Sequence, residues 1–356
     1  MLITDVNELK KYDSAHRLWQ GIPSTAVTKR GRIFVTFYSG GMKEEIGNYC
    51  LLVMSDDGIH FSEPVAVAKT EGKRCFDPNL WIDPEGKLWF TWAESPENGA
   101  FAAICDAPDE EPLRFSEPRK IGEDVMMNKP IVTRDGRYLF PIAVWAKTVK
   151  PKDYEYREEK EDGAFVYESR DGGRTFSKLG GADLPRRSFD EHMIVERKDG
   201  SLRMYIRTDY GIGAADSFNG GKTFVNGRDS MLGGPNSRFF IGRLRSGRLL
   251  LVNHVGFTKR DHLTALLSED DGETWPYQLL LDERAKVSYP DAMEGPDGMI
   301  YVVYDRDRGY YKNSVEEMRA SEREILMAKF REEDVIAGAL VTAGSEFKRI
   351  VSKLRT

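Results

Sequence analysis

Asp77, Glu191, Arg238 and Tyr289 share one repeated position in this sequence, nine residues ahead of Gly86, Gly200, Gly247 and Gly298. Ile22 and Met127 hold the same place ahead of Gly31 and Gly136. Carboxylates at such a position can give or take a proton, a phenol can attack or donate a hydrogen bond, and a guanidinium can hold an anion by charge-assisted bonds. Asn128, Lys129, Asp190, His192 and Asp291 adjoin these positions, and Arg207, His254 and Asp305 fall at the far ends of the strands that follow. One polar residue at the solvent end of a strand is ordinary. Several converging on one axis make a central pocket rich in carboxylates and arginines.

An internal repeat must bring them together. Each of the six glycines opens an alternating or wholly apolar strand (GRIFVTFY, GKLWFTWA, GRYLFPIA, GSLRMYIR, GRLLLVNH, GMIYVVYD), at intervals of 47 to 64 residues. Turn signals such as Asp199-Gly200 and Asp297-Gly298 read as tight hairpins, where glycine adopts positive φ cheaply. About fifty residues accommodate four short strands with their loops, which is one propeller blade. The expected fold is therefore all-β, a six-bladed β-propeller whose innermost strands surround the pocket.

A second phrase recurs in the same period. Ser169 to Phe176 (SRDGGRTF) and Ser268 to Trp275 (SEDDGETW) share one pattern, Ser217 to Phe224 repeats it with Asn219 for the aspartate, and Ser55 to Phe61 is one residue shorter. Its Ser and Asp side chains suit bonding to turn amides, and its aromatic suits packing between blades. This phrase resembles the Asp-box of the sialidase superfamily, in which it is structural and lies on the face away from the active site. The resemblance covers the whole chain at the level of the repeat, and residues 188–208 and 260–305 at the level of motifs.

The resemblance implies a catalytic set. Glu191 precedes Arg207 by sixteen residues and Arg260 stands eight residues before Ser268, as in sialidases, and Tyr289 falls at the place of their nucleophile. By that likeness Tyr289 attacks, Glu191 takes its proton, and Arg207 and Arg260 hold the substrate's carboxylate. Sialidases carry a further arginine directly before Ile-Pro in the first inner strand, where this sequence has Gly21. Arg238 is the candidate to replace it, with Arg17 behind. The acid/base aspartate is not literal either; Glu45, with Glu44 beside it, and Asp77 are the candidates. His192, His254 and Asp305 complete the expected substrate-binding residues, the histidines because some propeller glycosidases and lyases use one.

The net charge of −6 argues against a nucleic-acid partner. The N-terminal residues offer no apolar run for a leader or a membrane span, so a cytoplasmic protein without a membrane partner is expected. Cys50, Cys75 and Cys105 lack metal spacing and read as reduced core thiols, and the five histidines form no metal motif, so no metal and no cofactor are expected. Residues 1–356 read as one propeller, with strand EILMAKF followed by a short helical tail over 331–356 outside the blades, and with both chain ends contributing strands to close the ring. The expected function is a sialidase-like exo-glycoside hydrolase acting on an oligosaccharide or glycoconjugate with a terminal acidic sugar. The alternatives are a uronate-linked glycosidase or polysaccharide lyase on the same fold, and a noncatalytic carbohydrate-binding propeller.

Overall fold

The computed structural model describes residues 1–145, 161–256, 258–309 and 313–354. Six antiparallel sheets form the blades of a propeller. Blade 1 holds β1 (Leu2–Ile3), β2 (Trp19–Val27), β3 (Ile33–Gly40), β4 (Tyr49–Ser55) and β5 (Ala66–Ala68), with β1 added outside β5. Blade 2 holds β6 (Arg74–Ile82), β7 (Leu88–Ser95), β8 (Gly99–Cys105) and β9 (Arg119–Gly122). Blade 3 holds β10 (Ile131–Val132), β11 (Tyr138–Val144), β12 (Gly163–Ser169) and β13 (Ser177–Ala182). Blade 4 holds β14 (Met193–Glu196), β15 (Leu202–Thr208), β16 (Gly211–Ser217) and β17 (Val225–Asp229). Blade 5 holds β18 (Phe240–Arg243), β19 (Leu249–Asn253), β20 (Leu263–Ser268) and β21 (Tyr277–Asp282). Blade 6 holds β22 (Val287–Glu294), β23 (Ile300–Arg306), β24 (Glu324–Phe330) and β25 (Glu346–Lys353).

The six glycines of the repeat sit in the turns between the first and second strands, with φ between 82° and 92°. A side chain there would be strained, so the period of the sequence is the period of the inner hairpins. Strand direction alternates across each blade. The starts of the first strands and the loops between second and third strands therefore share one face, and the glycine turns share the other with the third-to-fourth turns.

The Ser/Asp phrases occupy those third-to-fourth turns. Ser169 Oγ accepts from Gly173 N and donates to Asp171, whose carboxylate takes Arg174 N and Thr175 N; Ser268 and Asp270 repeat the arrangement with Gly272 and Thr274. Asn219 does the same work between Ser217 and Thr223. They cap turns on the face opposite the pocket. Between blades the core is apolar, as where Trp81 packs edge-on against Tyr138 and Phe140. Truncating a buried ring such as Phe140 to alanine typically costs about 3–5 kcal/mol.

Two expectations are corrected. The ring does not close by pairing strands from both chain ends: β1 joins β5 within blade 1, and blade 6 is built from consecutive strands. Closure is made instead by side chains. The buried Gln20 amide donates to Arg323 O (2.7 Å) and Ser352 O (3.1 Å), and Asp305 accepts from Ile22 N (2.8 Å). The tail is helical only over α3 (Glu332–Ala337), which follows α1 (Val6–Leu9) and α2 (Val315–Arg319) in the chain. The FKRIVSKL segment falls in β25, the outer strand of blade 6. Its pairing with β24 slips twice, between Ile325 and Leu326 and between Met327 and Lys329. The inserted residues break strict alternation and leave Phe347, Ile350, Val351 and Leu354 at helical spacing.

Candidate active site

The first strands of blades 1, 2 and 6 carry bulges, where pairing slips between Gly21 and Ser24, between Phe76 and Asn79, and between Ser288 and Asp291. Ile22, Asp77 and Tyr289 lie in these bulges with φ of 58°, 47° and 56°, and Glu191, just before β14, has 33°. Left-handed backbone is unfavourable for a residue with a Cβ, and a bulge re-aims the side chain it carries. All four side chains line one cavity of about 230 Å³, as does Met127. Its size is below the roughly 300–1,000 Å³ of drug-sized sites and suits a single sugar ring.

Tyr289, Glu191 and Arg207 meet in this cavity. Tyr289 Oη donates to Glu191 Oε1 at 3.3 Å, and Arg207 Nη1 donates to both, at 3.1 Å to the phenol and 2.6 Å to the carboxylate. Glu191 Oε2 is buried and accepts no hydrogen bond among the described residues. Burial, and then the Glu191 charge, push the Tyr289 phenol above its ordinary pKa, against the nearby guanidiniums. The phenol is therefore neutral at rest. Asn236 ties two of the arginines together: its Oδ1 accepts from Arg207 Nε at 2.6 Å, and its carbonyl accepts from Arg207 Nη2 and from Arg260 Nη2. Arg260 and Arg308 approach the Tyr289 ring, at 5.0 and 4.6 Å from its centroid.

Asp77 stands on blade 2, two blades from both Glu191 and Tyr289. It is 3% exposed and accepts no hydrogen bond among the described residues. Burial pushes its pKa up to about 8, Arg74 opposes the shift, and Glu191 and Glu44 add to it. A protonated carboxyl at neutral pH can donate to a leaving oxygen. Glu44, from the loop after β3, reaches the cavity bonded to Arg74 Nη2 at 2.8 Å, with Arg308 Nη1 at 3.6 Å. Trp145 and Phe189, in edge-on contact, add an apolar wall.

The sequence matches the BNR repeat-like domain family over residues 31–302. The chain belongs to that family. Among curated proteins, none matches it. Solved structures show the same propeller: the intramolecular trans-sialidase of leech (14% identity, TM-score 0.69, covering 92% of this chain and 70% of that one), that of Ruminococcus gnavus (13%, 0.67, 92% and 97%), and a protein of unknown function from Dyadobacter fermentans (18%, 0.64, 82% and 91%). At such identities the likeness is one of fold.

Of the residues expected at the site, the structure brings together Tyr289, Glu191, Asp77, Arg207 and Arg260. Glu45 is not among the lining residues; it is half-exposed on its loop beside Lys43, and Glu44 faces the cavity instead. Arg238 is fully buried beneath the pocket, where it donates to Asn128 Oδ1, Pro23 O and Met127 O and pairs with Asp291. Unlike Asp77, Glu191 and Tyr289, it has no left-handed backbone. Arg17 is buried over Phe37, bonded to Asp13 O and Ser352. His192 is held by Phe165 O and His254 by Asp261 O; burial pushes both down to about 4, and neither lines the cavity. Asp305 is buried against Ile22 N and Ser288 Oγ, where it positions other groups. Sequence reasoning missed Arg74, Arg308, Trp145, Phe189 and Asn236. Arg308 could have been sought in Asp305-Arg306-Asp307-Arg308, which leaves the same strand end as Asp305. Among the described residues no His, Cys, Asp and Glu cluster could hold a metal, and no helix is long and apolar enough to cross a membrane.

Proposed function

We propose that this protein is an exo-acting glycoside hydrolase that removes a terminal acidic sugar, sialic acid or a related acid, with retention of configuration. The observation that carries this reading is the Tyr289–Glu191–Arg207 contact at the base of a small cationic cavity. A sugar whose anomeric carbon bears a carboxylate repels a carboxylate nucleophile, and a neutral phenol avoids that repulsion. Tyr289 Oη attacks the anomeric carbon while its proton passes to Glu191. The glycosidic C–O bond breaks, and the leaving oxygen takes the proton of Asp77. Arg207 stabilises charge on the phenol and on Glu191 as the proton moves, and with Arg260 it faces the substrate's carboxylate. In the second half Asp77, now ionised, takes a proton from water, the water oxygen bonds to the anomeric carbon, and the phenolate leaves and recovers its proton from Glu191.

The test is release of a fluorophore from a panel of sialic acid and uronic acid glycosides by the wild type and by Tyr289→Phe. Turnover of an acidic glycoside by the wild type and its loss in the variant support the reading. A wild type inert on every acidic glycoside, or equally active as Tyr289→Phe, would sink it. A product absorbing in the ultraviolet as an unsaturated uronate would instead establish a lyase.

A further inference from the structure

We infer that Arg308 and Gly21 form one device: Arg308, delivered from the end of blade 6 across the first strand of blade 1, completes the pocket's hold on the substrate's carboxylate, and position 21 is glycine because the arginine passes through its side-chain space. The inference rests on the glycosidase reading and adds to it the residue that sets the preference for an acidic sugar.

The backbone does not require the glycine. Gly21 has no left-handed φ, and it pairs with Tyr38 as the last residue before the bulge. Space does require it. A Cβ at this position would overlap Cδ of Arg308 and come within 2.8 Å of its Cγ, closer than side chains tolerate. Those atoms are the middle of the arginine, and its far end is fixed. Arg308 Nε lies 3.5 Å from Asp305, Nη1 lies 3.6 Å from Glu44, and the guanidinium carbon lies 4.6 Å from the Tyr289 ring centroid. Asp305 in turn accepts from Ile22 N and Ser288 Oγ, so one carboxylate holds the two strands and the arginine between them. The result is three guanidiniums around one phenol, Arg207 from blade 4, Arg260 from blade 5 and Arg308 from blade 6, all lining the same cavity. Arg260 makes no ion pair with a carboxylate among the described residues, which leaves positive charge for an anion to meet.

The experiment compares an acidic aryl glycoside with its methyl ester, in the wild type, Arg308→Ala, Arg308→Lys, Gly21→Ala and the Gly21→Ala/Arg308→Ala double variant. Calorimetric titration with the free sugar acid runs beside it. Arg308→Ala is expected to raise KM for the acid by about 10- to 100-fold, the effect of losing a hydrogen bond to a charged group, while the ester changes little. Arg308→Lys should fall between. Gly21→Ala should reproduce the loss by displacing the arginine, yet add nothing once Arg308 is already alanine, because the two changes act on one contact. Should Gly21→Ala fail to fold, recovery of folding in the double variant carries the same meaning. An Arg308→Ala enzyme with unchanged KM for the acid, equal losses on acid and ester, or additive effects in the double variant would overturn the inference. With turnover intact, those outcomes leave the glycosidase reading standing. A wild type that neither hydrolyses nor binds any acidic sugar overturns both.

Discussion

Tyr289 and Glu191 are 98 positions apart in the chain and 3.3 Å apart in the structure, joined by a hydrogen bond that spans blades 6 and 4. Both residues have left-handed backbone, and both are buried. The fold thus commits strain and burial from two distant blades to bring one phenol against one carboxylate. Removing that carboxylate's basicity should affect the chemical step: Glu191→Gln is expected to lower kcat by about 10²- to 10⁴-fold, the usual contribution of a general base, with a smaller effect on KM. Steady-state kinetics on the acidic glycoside that the wild type prefers check this.

Asp77 is expected to make stability and, in the proposed reaction, activity depend on pH. Its folded pKa of about 8 lies above the ordinary carboxylate value, so the folded protein keeps a proton that the unfolded chain loses near pH 4. Its contribution to stability is therefore complete below about pH 4 and declines as pH rises to about 8. Asp77→Asn should flatten that decline and melt higher than the wild type at pH 8, as thermal melts across the range will show. In the wild type kcat/KM should also fall above about pH 8, as the acid is lost. A melting profile unchanged by Asp77→Asn would refute the buried, protonated state.

Phe189, Asp190 and Glu191 form a run of three left-handed residues, with φ of 57°, 59° and 33°. Arg187 anchors this run through both Asp190 oxygens, at 3.1 and 2.9 Å, and reaches Asp183 and Asp162 beyond it. Asp190→Asn keeps a residue that tolerates left-handed backbone but removes the charge. It is expected to destabilise the protein by about 1.5–3 kcal/mol and to lower kcat more than it raises KM, because Glu191 loses its fixed aim. Denaturant unfolding and kinetics read the two effects separately.

The turn phrases on the far face give the complementary case. Ser268 is fully buried and its hydroxyl accepts from Gly272 N at 2.8 Å. Ser268→Ala leaves that amide without its partner, at an expected loss of about 1–3 kcal/mol, with kcat/KM on any substrate unchanged. Altered kinetics at full stability would contradict a purely structural role.

The repeat was legible because its glycines answer to a backbone demand that no other residue meets cheaply, and the same period located Asp77, Glu191 and Tyr289 at the starts of the inner strands. Arg238 shares their register but not their backbone. Its side chain is held beneath the pocket by Asn128, Pro23, Met127 and Asp291, and sequence spacing alone does not reveal which blades bulge. Arg308 was hidden for the converse reason. It stands outside the repeated register and enters the cavity only because Gly21, on another blade, leaves a gap. The helical reading of FKRIVSKL failed through two slips in the pairing of β25, which imitate helical spacing in a strand.

Closure by side chains rather than by exchanged strands bears on how the protein comes into being. Every blade draws its strands from one stretch of chain, so each sheet can complete its backbone hydrogen bonds soon after leaving the ribosome. The contact between Gln20 and Arg323 bridges 303 positions and waits for blade 6. Tyr289, Arg308 and Asp305 arrive with that same blade, so a nascent chain of five finished blades holds most of its hydrogen bonds but lacks the proposed nucleophile. The proposed activity is expected to begin only once blade 6 has formed, and its appearance during translation would time the joining of the first blade to the sixth.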